Sequence, residues 1–229
     1  MKHIFLILVV IGNGALSFSQ LHEIGVYGGG SNYIGDVGNT TYINPSKFAG
    51  GILYKWNVHE RYSWRASLVH TTLTNSDASS NLSYRNERMF SFENKITEAS
   101  AGMEFTFWDF NLLQDGLLWS PYIYSGITYF KYDDLYYKIG ETIAKKYEYN
   151  TGFAIPITVG VKARIGWRFM LGLEISAKLT STDNIDGSFS SFTAKDKAPN
   201  FGNSLSSDWY VFTGMTFTYT FGRPPCYCP

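Results

Sequence analysis

From Trp167 to Thr180 the chain reads WRFMLGLEISAKLT, and the odd positions Phe169, Leu171, Leu173, Ile175, Ala177 and Leu179 are all apolar. Between them stand Arg168, Met170, Gly172, Glu174, Ser176, Lys178 and Thr180. A period of two places one set on each face of a strand, whereas a helix would scatter both sets around its circumference. Ile155 to Arg164 repeats the pattern, with Ile155, Ile157, Val159, Val161 and Ala163 opposed to Pro156, Thr158, Gly160, Lys162 and Arg164. Thr97 to Phe107 repeats it again, with Ala99, Ala101, Met103, Phe105 and Phe107 opposed to Glu98, Ser100, Gly102, Glu104 and Thr106. Glu23–Asn32, Lys47–Trp56, Tyr62–His70, Trp119–Phe130 and Asp208–Phe221 are less regular and complete a set of eight predicted strands.

The connections alternate in length. Asn57–Arg61, Phe110–Leu118 and the neighbourhood of Gly166 are short, while Tyr33–Ser46, Thr71–Met89, Lys131–Asn150 and Ser181–Ser207 are long and polar. Short turns at one end and long loops at the other describe an up-and-down barrel of the outer-membrane kind. Periodicity does not say which face is outside. The apolar faces run about ten residues, enough for a tilted strand to cross a bilayer. Aromatic residues gather at strand ends, at Trp56, Tyr62, Trp64, Phe105, Phe107, Trp108, Trp119, Tyr122, Trp167 and Phe169, as interfacial girdles do. The chain carries 17% aromatic and only 17% charged residues, few charges for a water-soluble domain. The expected fold is therefore all-β: an eight-stranded antiparallel transmembrane barrel over residues 20–222, its last strand closing on TGMTFTYTF.

Residues 1–19, with Lys2, the apolar run Ile4–Ile11 and the small-residue site at Ser17–Ser19, read as a cleavable signal peptide. Residues 223–229, GRPPCYCP from Gly222 onward, read as a periplasmic tail held extended by Pro224 and Pro225. Cys226 and Cys228 are the only cysteines, and two extended residues set their Cα atoms about 7 Å apart, at the limit for bonding each other. Two readings stand for them: a disulfide from one to another polypeptide, or free or oxidised thiols on a frayed terminus. With Pro224 and Pro225 they form the candidate partner-binding segment.

A barrel of eight strands has a bore that side chains can fill, so Glu98, Glu104, Lys162, Arg164, Arg168, Glu174 and Lys178 are expected to pair within it rather than line a channel. No cofactor or metal is expected: His22, His59 and His70 lack metal-ligand spacing, and Asp133, Asp134 and Glu141 do not form an ordered run of oxygen ligands. Zero net charge without a basic run argues against nucleic acid. Ser67 and His70, the one pair fit for a lipid A-modifying enzyme, fall on opposite faces of a strand. Lipid and lipopolysaccharide are expected contacts, the latter through Lys145 and Lys146. A surface-binding barrel acting through its long loops is the other alternative.

Gly28–Gly30 precede no helical period, so they do not make a phosphate loop. A bend, a bulge or close packing of the lumen is expected there instead. The segments EIGVYGGGSNYIGDVG, RYSWRASLVH, SFENKITEASAGMEF and SPYIYSGITYF resemble the PorG family of outer-membrane barrels, most distinctively in SNYIGD and SFENKI. That resemblance implies a non-enzymatic component of the type IX protein secretion system of Bacteroidota. It also implies association with a periplasmic lipoprotein ring and a part in protein export and gliding motility.

Overall fold

The computed structural model describes residues 21–111, 118–203 and 207–222. The proposed leader, 1–19, and the tail carrying Pro224, Pro225, Cys226 and Cys228 lie outside the described residues. Eight strands follow one another: β1 (Leu21–Ile34), β2 (Lys47–Asn57), β3 (Tyr62–Ser76), β4 (Ser91–Thr106), β5 (Trp119–Tyr136), β6 (Lys145–Arg164), β7 (Phe169–Thr180) and β8 (Trp209–Gly222). Each pairs antiparallel with its neighbour, and β1 closes on β8 from Leu21↔Gly222 to Ile34↔Trp209. Closure gives every strand a partner on both sides, the condition a sheet must meet in lipid, and only the long-loop ends of strands such as β4 and β6 run past a neighbour. A single turn of helix, α1 (Ser83–Arg88), sits in the connection between β3 and β4. No described helix is long and apolar enough to cross a membrane.

The two faces are reversed relative to a soluble barrel. Ile24, Val26, Ile52, Leu68, Ile127, Phe153, Ile155, Val159, Leu173 and Met215 are all more than half exposed on the outside, while Glu98, Glu104, Glu174 and Lys178 are buried inside. An exterior of branched aliphatics around a charged interior is stable only where the exterior meets hydrocarbon. Trp56, Tyr62, Trp64, Phe105, Phe107, Trp108, Trp119, Trp167 and Phe169 ring the short-turn end and are exposed. Tyr122 departs from that expectation. It follows Pro121 on the inward phase of β5 and is buried in the lumen.

The strands reach further toward the long-loop end than hydropathy indicates. β3 runs on to Ser76, β5 continues to Tyr136 and β6 starts at Lys145, so segments expected as loop are paired strand, and β4 starts at Ser91, ahead of the predicted Thr97. Beyond the lipid band both faces can be polar, and the backbone ladder persists where the apolar period has ended. At the glycines the register is unbroken from Gly28 to Gly30 against both neighbours, and the bulge lies elsewhere, between Asp134 and Leu135. Of the three uses expected for the glycines, close packing is the one found. A side chain on Gly29 would stand 2.4 Å from the Thr213 carbonyl and 2.7 Å from the Tyr27 hydroxyl, and one on Gly214 would also meet that hydroxyl at 2.7 Å.

Candidate functional site: a filled lumen under a tied cap

The lumen is built in layers by alternate residues of successive strands. At the short-turn end, Glu104 of β4 is fully buried and receives Lys55 of β2 at 2.7 Å and Lys162 of β6 at 2.8 Å. Arg65 of β3 lies 3.8 Å from Glu104 and forks onto Glu174 of β7 through two bonds of 2.7 and 2.8 Å, where Tyr122 also donates at 2.5 Å. One layer up, Glu98 accepts Lys178 at 2.9 Å and the Tyr210 hydroxyl at 2.6 Å. Glu23 accepts from Thr218 at 2.6 Å and from Asn57 at 3.0 Å. Among the described residues, three carboxylates, Glu98, Glu104 and Glu174, thus meet four cations, Lys55, Arg65, Lys162 and Lys178, while Glu23 is held by neutral donors.

Paired and hydrogen-bonded ions of this kind fill space, and removing one partner strands the others in a low-dielectric interior. Phe110, from the turn after β4, is buried at the short-turn end, with the Lys162 ammonium 4.7 Å from its ring centroid. A small cavity of about 20 Å³ lies between Tyr27, Arg65, Tyr124 and Glu174. It is large enough for one water, and the Tyr27 and Tyr124 hydroxyls and Arg65 Nε border it without a protein partner.

Five of the seven charges expected in the lumen, Glu98, Glu104, Lys162, Glu174 and Lys178, are buried there. Arg164 is half-buried at the last position of β6, and Arg168 is exposed in the turn before β7, donating to Tyr219 at 2.8 Å on the outside. Arg168 shares the polar phase of the Trp167–Thr180 alternation, but it precedes the strand, where that phase no longer fixes direction. Sequence reasoning passed over Glu23, Lys55 and Arg65. Their inward phase is set on β1, β2 and β3, whose alternation is interrupted by glycine, serine and tyrosine. Ser67 lines the cavity while His70 faces out and bonds Thr97 Oγ1 at 2.8 Å, so these two are not brought together.

Above the charged layers, Leu53, Leu73, Ile96, Phe130, Tyr210 and Phe212 form an apolar plug. The four long connections then tie to one another over it. The SNYIGD segment supplies the ties from β1: Ser31 bonds Thr71 at 2.7 Å, Asn32 donates to the Thr41 and Tyr42 carbonyls, and Tyr33 donates to Asp208. Asp36 accepts the Asn203 amide, and its carbonyl accepts Arg88 at 2.7 Å. Asp77 takes the Gly38 and Phe90 amides and Arg88, while Asp186 takes the Val37 and Ser188 amides.

SFENKI supplies Asn94, fully buried, which donates to the carbonyls of Asp133 and Ile185 and accepts the Asp133 amide, at 2.6 to 2.8 Å. It also supplies Phe92, packed edge-on against Tyr33. Asp133 and Glu141, weighed as cation ligands, are paired with Lys146 and Lys145, and Asp134 accepts from Tyr147 and Asn184. Among the described residues no group of histidine, cysteine, aspartate or glutamate is placed to hold a metal.

Carboxylates crowd on the inner side of the cap. Burial, then the charge of Asp186, pushes Asp208 well above the usual carboxylate range, and burial likewise raises Asp186. Asp183 is pushed up to about 7 by burial and by the neighbouring charges of Asp36 and Asp186.

These features define a closed eight-stranded transmembrane barrel whose lumen is filled by paired charges and whose long-loop mouth is tied shut. The chain belongs to the family described as Domain of unknown function (DUF6089), whose model matches residues 2–229. Among solved structures it is similar to Ail, the attachment invasion locus protein of Yersinia pestis, in complex with the heparin analogue sucrose octasulfate. Identity there is 11%, covering 89% of this chain and 100% of that one, with a TM-score of 0.48. The outer membrane protein OprG from Pseudomonas aeruginosa is 8% identical over 89% and 97%, with a TM-score of 0.45. Neisserial surface protein A is 10% identical over 88% and 95%, with a TM-score of 0.43. No curated protein matches the chain by sequence.

Proposed function

We propose that the protein is a non-enzymatic outer-membrane barrel that acts by contact with other proteins, as a component of the type IX secretion machinery. The long loops face outward, and the short turns and the tail from Arg223 to Pro229 face the periplasmic lipoprotein ring. The observation that carries the contact role is the lumen itself: Glu104, Glu174 and Glu98 are neutralised by Lys55, Lys162, Arg65 and Lys178, and Phe110 is buried at the short-turn end. A bore so filled has no path for cargo, which leaves the surfaces to do the work. The secretion assignment rests on the resemblance carried by SNYIGD and SFENKI.

The test is copurification from mildly solubilised envelopes. Ring proteins are expected to accompany the barrel, and deletion of Arg223–Pro229 is expected to weaken that association and the export of cargo. Unchanged secretion in a strain lacking the barrel would overturn the reading. Non-reducing electrophoresis of the same envelopes reports on Cys226 and Cys228, since a disulfide to a partner shifts the band upward.

A second reading, a surface-binding barrel, is favoured by the long connections, where Tyr42, Tyr84, Ile139 and Ile143 are each at least 60% exposed. Polar replacement of these four should leave export intact and reduce adhesion of cells to matrix if that reading holds.

A further inference from the structure

The outward face is uneven at its upper edge. Register lines up Val26, Ile52, Leu68, Ala99, Tyr129 and Phe153 as one continuous outward row across six strands. The next outward row toward the long loops is Gly28, Gly50, His70, Thr97, Lys131 and Thr151. Tilted strands make these rows climb toward β6. At roughly 2.5 Å of height per residue the ascent from Trp119 to Lys131 is about 30 Å, just past an apolar band of about 25 Å. Lys131 therefore stands at headgroup level, flanked by Thr97 and Thr151, with Tyr129 and Phe153 directly beneath.

Lys146 of β6 shares the Tyr149 ring with Lys131, at 3.1 and 4.1 Å from its centroid. Lys95 is exposed on β4, two residues further toward the long loops than Thr97 and on the same face. Asp133 takes up part of the charge through Lys146 at 2.9 Å, and Glu93, on the same face of β4 as Lys95, is paired with Lys47 at 3.7 Å, which leaves Lys95 and Lys131 to carry the positive charge. At the upper edges of β7, β8 and β1 the same face carries Leu179, Val211 and Gly30, none of them a cation, and Val211 is buried.

We propose that the β4–β6 sector seats the phosphate of an outer-leaflet lipid on Lys95, Lys131 and Lys146, with the acyl chains against Tyr129, Phe153 and Ile127. Cations directly above an apolar, aromatic surface satisfy both halves of a phosphorylated lipid at once, and a soluble phosphate gains nothing from the lower half. The inference rests on the outward orientation of the long loops given above.

Delipidated full-length protein in detergent is titrated with lipid A and with dephosphorylated lipid A, and bound lipid is counted by native mass spectrometry. The phosphorylated form is expected to bind about tenfold or more tightly than the dephosphorylated one. K95Q/K131Q/K146Q should abolish the preference, K131Q alone should reduce it, and R168Q, at the short-turn end and bonded to Tyr219, should retain it. Equal binding of the two lipids, or an undiminished preference in both the triple variant and K131Q, overturns the proposal. Complete displacement of lipid A by equimolar inorganic phosphate overturns it too, in favour of a free-anion site. An epitope inserted after Lys195 separates the two levels: detection on intact cells with no lipid preference removes only the lipid site. Absence of surface detection removes the orientation on which both rest.

Discussion

Glu104 is the side chain whose loss strands the most charge. Replacing it with leucine leaves Lys55, Lys162 and Arg65 facing one another in the lumen, and a loss of about 3–5 kcal/mol is expected, read by urea unfolding in lipid vesicles. Glu98→Gln keeps an acceptor for Tyr210 and removes only the charge paired with Lys178, so a smaller loss of about 1–3 kcal/mol is expected from the same measurement. Asn94 is the corresponding residue in the cap. Asn94→Ala abandons two carbonyls and one amide inside the protein, and about 2–4 kcal/mol should be lost, with faster amide exchange at Asp133, whose N–H loses its acceptor. Asn94→Asp should not rescue, because a carboxylate cannot donate to those carbonyls.

Among the elements, β1 depends on Gly29 for its approach to β8. Gly29→Val forces a side chain against the Thr213 carbonyl and the Tyr27 hydroxyl, and about 1–3 kcal/mol of overpacking is expected, with slower insertion and folding into vesicles. The connection 181–208 carries the pH dependence. Asp183 moves from an ordinary value of 3.8 to about 7, so between those limits the folded protein holds a proton that the unfolded chain has released. Its contribution to stability is complete below about pH 4, falls as pH rises through that window, and is level above about 7. Proteolysis of the 181–208 connection should therefore quicken from pH 5 to pH 8, and Asp183→Asn should make the profile shallower, with the raised Asp186 and Asp208 carrying what remains.

For the whole molecule, the filled bore predicts that purified protein in planar bilayers shows no porin-sized conductance steps. The barrel was legible in sequence because Phe169–Thr180, Ile155–Arg164 and Thr97–Phe107 keep a strict two-residue period, and one face of each is aliphatic. The outer reaches of β3 to β6 were not legible, since residues such as Lys131 to Asp134 and Lys145 to Asn150 are polar on both faces and carry no period. SNYIGD and SFENKI were recognisable as segments, but their use was not, for Tyr33 meets Asp208 and Asn94 meets Ile185 only after the chain has gone around the barrel. The sequence by itself determined the strands, their number, and which side chains share a face, because a strand's direction alternates locally. The tertiary structure alone decided which cation answers which carboxylate and that the mouth is tied shut, because those depend on closure bringing distant strands to a common axis.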